Sequence, residues 1–196
     1  MTSRPVVTLF ETYGSGATAV GRAVARALGV PFIGQAYSSE DIEAAEGYEG
    51  GLLARVLGTL GRTMAQADAG VFSGDVLTRD ARDNIRQVRE AVEDGGVILG
   101  RNATVILGEL PTALHVKLDG PLEQRVARGA AEAGIDLAHA RARQAREDRV
   151  RAELSVRLHN WDPRDTDRFD LVVNTGRVTL QTAVQMIVSD YRIKVG

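Results

Sequence analysis

Val6-Val7-Thr8-Leu9-Phe10-Glu11-Thr12-Tyr13-Gly14-Ser15-Gly16-Ala17-Thr18 is the stretch on which the fold turns. Five β-favouring residues, Val6 to Phe10, run into a turn bearing two glycines. Val20, Val24, Ala27 and Leu28 then recur at i, i+4, i+7 and i+8, the spacing of one helical face. A strand, a tight loop and an amphipathic helix therefore follow one another directly.

Gly14 and Gly16 take positive φ without a steric penalty, which lets backbone N–H groups of the loop converge on one anion at the positive end of the helix. A phosphate-binding loop works in this way. Its full pattern is G-x-x-x-x-G-K-[ST], and here Glu11 stands at the first glycine, Gly16 at the second, Ala17 at the lysine and Thr18 at the hydroxyl. Half of the pattern is present. The same residues also suit a plain strand-to-helix turn in which Ser or Thr caps the helix. On the phosphate reading, Glu11 repels the ligand unless it points away or meets Arg22 or magnesium.

With 196 residues, 44% hydrophobic and 26% charged, the chain suits one α/β domain with a substantial core and room for a mobile subdomain, rather than two independent domains. It has no cysteine, which excludes disulfides, Cys-zinc sites and thiol catalysis. His115, His139 and His159 are scattered, without metal-ligand spacing, so any metal is expected on oxygen ligands and phosphate. Met1 to Pro5 form no apolar signal core and no run is long enough to span a bilayer, so a cytoplasmic protein is expected. The net charge of −2 gives no general attraction for a nucleic acid polymer, so an anion site needs a local concentration of arginine. Arg141 to Arg157 is such a concentration.

Beyond the first helix, Gly29 reads as a C-cap and Phe32-Ile33 as a short strand. Ser38 or Ser39 is placed to cap a short acidic helix, Glu40 to Glu46, which Gly47 to Gly51 ends. Leu53, Val56, Leu57, Leu60 and Met64 form a looser stripe, interrupted by Gly58 and Gly61, each costing about 1 kcal/mol against alanine in a helix. Gly70 to Thr78 reads as a loop, and Ala81, Ile85, Val88 and Val92 mark a helix that ends at Gly95-Gly96. Val97 to Gly100 is a short apolar run, as expected of a strand buried on both faces, with Arg101-Asn102 at its end. Leu114 to Leu118 repeats the arrangement, ending at Asp119, and Pro121 suits a helix start. Asp170 to Asn174 is the last strand, and Thr179 caps a final helix with the stripe Leu180, Ala183, Val184, Ile187, Val188 and Tyr191.

This alternation implies a parallel sheet with helices on both faces and a ligand site beyond the carboxyl ends of the strands. The polar residues at those ends are Glu11 to Thr18, Arg101-Asn102, Asp119 and Asn174-Thr175. Asp119 is placed either to hold magnesium, directly or through water, or to cap the helix opening at Pro121.

Asp136 reads as the N-cap of a long helix bearing Arg141, Arg143, Arg146, Arg149, Arg151 and Arg157 among fewer acids. Arg146 and Arg149 share a face, and Arg151 lies on another. One reading is a solvated helix with i,i+4 pairs such as Glu147 with Arg151. The other is functional: transfer of a phosphoryl group builds up negative charge, and a loop without lysine needs cations from elsewhere.

Several stretches together resemble the cytidylate kinase-like proteins, relatives of the P-loop nucleoside monophosphate kinases. They are Tyr13-Gly14-Ser15-Gly16 with Gly21-Arg22, Leu99-Gly100-Arg101-Asn102-Ala103, Val116 to Arg125, Arg146-Glu147-Asp148-Arg149-Val150-Arg151, and Phe169 to Thr175. The resemblance implies a three-layer α/β/α fold with a five-stranded parallel sheet and a helical lid. It also implies ATP with Mg2+ as donor and CMP or dCMP as acceptor. Gly14, Ser15, Gly16, Ala17 and Thr18 are then expected at the donor phosphates, Arg101 and Asn102 at the acceptor nucleotide, Thr18 and Asp119 at the metal, and Arg146, Arg149 and Arg151 as catalytic lid arginines. Residues 35–78 are expected to form the acceptor side and 134–168 the lid. Classical members have lysine at Ala17 and Asp at Asn102. Two further functional readings stand beside the nucleotide kinase: a nucleotide-binding or regulatory module of the same fold with impaired catalysis, and a P-loop kinase of a non-nucleotide small molecule.

Overall fold

The computed structural model describes residues 4–36, 38, 39, 42 and 74–196, with the backbone alone for 74–81. Its strands are β1 (Val6–Glu11), β2 (Phe32–Ile33), β3 (Gly96–Leu99), β4 (Ala113–Asp119) and β5 (Leu171–Asn174). Its helices are α1 (Ala17–Leu28), α2 (Gly74–Ala91), α3 (Ala103–Ile106), α4 (Leu122–Ala133), α5 (Leu137–His159) and α6 (Leu180–Val195).

The five strands form one parallel sheet in the order β2-β3-β1-β4-β5. Because β1 lies in the middle, the loop that follows it opens at the centre of the carboxyl edge, where Glu11 pairs with Leu118 and Leu9 with Leu99. Side chains alternate across the strand. Val7 and Leu9 pack with Val20 and Val24 of α1, Leu114, Val116 and Leu118 of β4, and Ile187 of α6. Val6 joins Val88 of α2, Ile98, and Ala103 and Leu107 on the other face. Two apolar faces covered by helices give three layers, and each fully buried Leu, Ile or Val contributes about 1.5–3 kcal/mol.

Thr8, also fully buried, pairs with Thr104 Oγ1 at 3.1 Å and His115 Nδ1 at 2.8 Å. Burial pushes the His115 imidazole below its usual range, so this histidine is a neutral core residue. The expected caps are present, with Asp136 accepting from His139 N and Thr179 from Thr182 N.

Some boundaries differ from the sequence reading. α2 begins at Gly74, inside the segment read as loop, because the stripe of Ala81, Ile85 and Val88 extends back one turn to Leu77. Gly96 starts β3 rather than ending a helix, and its N–H donates to Pro5 O at 2.7 Å. Asp170 precedes β5, where its carboxylate accepts from His115 N at 2.8 Å and Lys194 Nζ at 2.7 Å. Apart from Ser38, Ser39 and Ile42, the acidic helix Glu40 to Glu46, and the whole stripe Leu53 to Met64, lie outside the described residues, as does most of the acceptor side expected over 35–78.

Candidate active site

β1 ends at Glu11 and the chain turns through Thr12 to Gly16, with Ser15 N donating to Thr12 O at 3.1 Å. Gly14 and Gly16 have φ of 72° and 82°. A Cβ on Gly14 would lie 2.0 Å from Arg125 O, so only glycine lets the loop rest on α4. A Cβ on Gly16 would meet the Leu180 side chain of α6 at 2.8 Å, so the constraint there comes from packing behind the loop.

Gly16 is itself the N-cap of α1 and no side chain caps this helix, so the Ser or Thr cap of the plain-turn reading is not what the chain builds. Val20 N is the first to find a helical acceptor, Gly16 O at 3.1 Å. The N–H groups of Ala17, Thr18 and Ala19 have no acceptor among the described residues, and all three residues line a cavity of about 880 Å3.

Two arginines of α4 hold the loop through its carbonyls. Arg125 Nη1 donates to Tyr13 O at 2.9 Å, and Arg128 Nη1 donates to Gly14 O at 2.8 Å. Arg125 also bonds Asp148 Oδ2 at 3.1 Å, while the other oxygen of that carboxylate accepts from Tyr13 N at 2.7 Å. The Tyr13 and Gly14 carbonyls are thus taken up by α4. The sequence reading gave no role to Arg125, Arg128 or Asp148; their signal was the spacing of two arginines, i and i+3, on the helix after Asp119-Gly120-Pro121.

The opposite wall comes from one face of α5, Arg143, Glu147 and Arg151, spaced by four. Arg143 is 5% exposed and Glu147 1% exposed. Arg151 Nη2 lies 2.6 Å from Glu147 Oε2 and 3.6 Å from Glu11 Oε1, and it donates to Gln35 Oε1 at 3.3 Å. Gln35 Nε2 in turn donates to Glu11 Oε1. This is where the glutamate at the usual glycine position goes: it meets Arg151 and Gln35, while Arg22 sits over the Phe32 ring, 5.3 Å from its centroid. Burial pushes the Glu11 carboxyl up to about 7; Arg151 opposes that shift, and Glu147, Asp148 and Glu132 add to it.

The candidate lid arginines separate. Arg151 faces the loop cavity, whereas Arg149, about 200° round the helix from Glu147, lines a second cavity of about 560 Å3 with Phe10, Lys117, Arg157 and Pro163. Half-buried Arg146 lines neither. Arg143, which the sequence reading left among the general run of arginines, stands in the loop cavity instead.

Arg101 and Asn102 follow β3 with φ of 56° and 57°. The Arg101 guanidinium donates to Gly34 O at 2.8 Å and Gln35 O at 3.3 Å, and Asn102 Oδ1 accepts from Ser155 Oγ at 2.6 Å. Both residues line a small pocket that touches Glu11 and Arg151.

Asp119 ends β4 beside the loop. Its Oδ1 accepts from Thr12 Oγ1 and from Gly120 N, each at 2.8 Å, and lies 3.5 Å from Arg125 Nε, and no side chain caps α4. The helix-cap reading of Asp119 is therefore not what the chain builds. Thr18 is exposed on the cavity wall and offers the kind of oxygen that magnesium takes. Among the described residues no group of three or more His, Asp or Glu forms a metal cluster, so such an ion would rest largely on phosphate oxygens. Among them, too, no helix is long and apolar enough to cross a membrane.

Over 136 residues the chain is 38% identical to a protein named uronate isomerase from Corynebacterium glutamicum, covering 69% of this chain and 26% of that one. Over 101 residues it is 38% identical to a cytidylate kinase from Methanopyrus kandleri, covering 47% and 52%. The matches thus span about a quarter and about half of these relatives. Among solved structures, an uncharacterized protein from Eubacterium ventriosum superposes with a TM-score of 0.70 at 19% identity, covering 97% of this chain and 99% of that one. A gluconokinase from Sinorhizobium meliloti does so with a TM-score of 0.52 at 16% identity, covering 100% and 95%. The fold is thus the three-layer α/β fold of P-loop kinases, and family and fold together support a phosphotransferase of the kinase type. The model of the cytidylate kinase-like family matches residues 6–177, and the chain belongs to that family.

Proposed function

We propose that this chain moves the γ-phosphoryl group of ATP to a small acceptor bound in the loop cavity. One observation carries this reading: the open N–H groups at the start of α1 face Arg143 and Arg151 of α5 across a single cavity. The N–H groups suit the donor phosphates, and the arginines supply the cations that a loop without lysine lacks. Mg2+ would accompany the ATP on Thr18 and phosphate oxygens, neutralising charge on the transferring group.

A nucleoside monophosphate such as CMP or dCMP is the acceptor that family membership supports. A second class, a hydroxyl-bearing small molecule, is supported by the carboxylates of Glu11 and Glu147 in the cavity wall. The presence of a matching stretch in a protein named for isomerising a uronate, itself polyhydroxylated, points the same way.

Calorimetry with MgATP, followed by ADP release against nucleoside monophosphates and small alcohols, tests the proposal. Binding with acceptor-dependent ADP release is expected. Binding without turnover on any acceptor would leave a nucleotide-binding module, and absence of binding would overturn the site.

A further inference from the structure

Glu11 is the single described residue shared by the loop cavity, the small pocket at Arg101 and the cavity at Arg149. Its Oε1 receives Gln35 and faces Arg151, while Oε2 takes no hydrogen bond among the described residues. Beside it, Glu147 Oε2 is held by Arg151, but Glu147 Oε1 is buried with no hydrogen-bond partner. Ionised carboxylate oxygens only accept, so the groups that complement this wall are donors. A buried acceptor left unmatched destabilises the protein, so a ligand hydroxyl placed there is favoured. An acceptor phosphate laid against this wall would meet the carboxylates of Glu11 and Glu147, both of which Arg151 already serves.

We infer that the phosphoryl acceptor is a polyhydroxylated small molecule, a sugar or polyol, whose reacting hydroxyl donates to Glu11 and whose neighbouring hydroxyl donates to Glu147 Oε1. This rests on the phosphotransfer reading above and selects between its two acceptor classes. The acceptor oxygen attacks the γ-phosphorus and forms the new O–P bond. The bond from that phosphorus to the β,γ-bridging oxygen breaks, and its electron pair leaves with ADP. The hydroxyl proton passes to Glu11, which later releases it to water, so the products are a phosphate monoester, ADP and one proton. Glu11 suits the task because it titrates near neutrality among the groups that face it: Arg151, Glu147 and Asp148 of α5, Glu132 of α4, and Gln35. Glu147 acts by orienting the acceptor.

The test assays the whole chain with MgATP and D-glucose, D-ribose, glycerol or myo-inositol on one arm, and CMP, dCMP, UMP or AMP on the other. ADP is followed by coupled assay and the new ester by phosphorus NMR. Turnover is expected on the first arm alone. Glu11→Gln should lower kcat on the order of 10²–10⁴-fold and remove the rise of kcat with pH around 7, while calorimetry shows MgATP binding retained or tightened. Glu147→Gln should raise the acceptor KM more than it lowers kcat. Turnover confined to the second arm, or a Glu11→Gln enzyme within a few-fold of wild type, overturns the inference while leaving phosphotransfer standing. ATP-binding protein inert on both arms also overturns it. Absence of MgATP binding removes the phosphotransfer reading itself.

Discussion

The backbone N–H of Tyr13 donates to Asp148 Oδ1 at 2.7 Å, so a carboxylate of α5 rests on the loop that is built to receive phosphate. Arg125 and Gln144 hold the other oxygen, at 3.1 and 2.7 Å. A negative group beside a phosphate cradle opposes the arrival of another anion. Asp148→Asn removes the charge, and because its amide NH2 cannot accept, the variant keeps Arg125 and Gln144 on its one oxygen and releases the Tyr13 N–H; it should tighten MgATP binding several-fold, as the donor phosphates no longer meet a carboxylate at the loop. Calorimetry reads this directly, and an unchanged or weaker affinity would show that Asp148 and the donor phosphates do not compete.

Arg101 clamps the backbone after β2 through Gly34 O and Gln35 O, and Gln35 is the residue that contacts Glu11 and Arg151. Lysine cannot make the forked pair of bonds. Arg101→Lys should therefore raise the acceptor KM, leave MgATP affinity nearly intact and lower stability by about 1 kcal/mol. Steady-state kinetics with a thermal melt checks all three. A fall in donor affinity instead would move Arg101 to the other half of the site.

The scaffold was legible in the sequence because it obeys local rules. Apart from the one-turn helix α3, which carries no periodic stripe, the order of the described elements, the Gly29, Asp136 and Thr179 caps and the exit of β1 into a glycine loop follow from periodicity and turn chemistry. The site was legible only in part. Which arginine of α5 faces the loop depends on how the helix is rotated against the sheet, a tertiary fact; the sequence reading grouped Arg146 with Arg149, whereas the face that lines the loop cavity is that of 143, 147 and 151. Asp119 looked free to cap the helix at Pro121 because its partners, Thr12 and Arg125, come from an adjacent strand end and a following helix. Glu11 looked out of place for the same reason, as its counter-charge lies 140 residues away in Arg151.

Glu11 also makes a prediction that needs no activity. Its carboxyl is raised from 4.5 in the unfolded chain to about 7 in the fold, chiefly by burial. The native state therefore holds the proton more tightly, and stability present below pH 4.5 declines as pH rises towards 7. The loss is on the order of 3 kcal/mol when complete. Glu11→Gln removes the titration, so its melting temperature should match wild type near pH 4.5 and exceed it at pH 8. A gap that does not widen with pH would mean that Arg151 and Gln35 fully compensate the buried charge.

The arginines of α5 supply the last test, because the fold separates three residues that the sequence grouped. Only Arg151 stands in the loop cavity, between Glu147 and Glu11, so only its loss should reach the transferring phosphoryl group. Arginines that stabilise a phosphoryl-transfer transition state contribute on the order of 10³–10⁵ in rate. Arg149→Ala, on the cavity behind Glu11, and Arg146→Ala should leave kcat within a few-fold of wild type. Arg151→Ala carries a second consequence: it leaves the buried Glu147 carboxylate without its counter-charge, which destabilises a protein by about 3–5 kcal/mol. Arg151→Lys separates the two effects, since it keeps the charge and loses the fork. If Arg151→Lys melts near wild type but turns over far more slowly, the guanidinium acts on the reacting group. If it restores both stability and kcat, Arg151 serves only to neutralise Glu147 and Glu11, and Arg143 becomes the cation at the transferring phosphate.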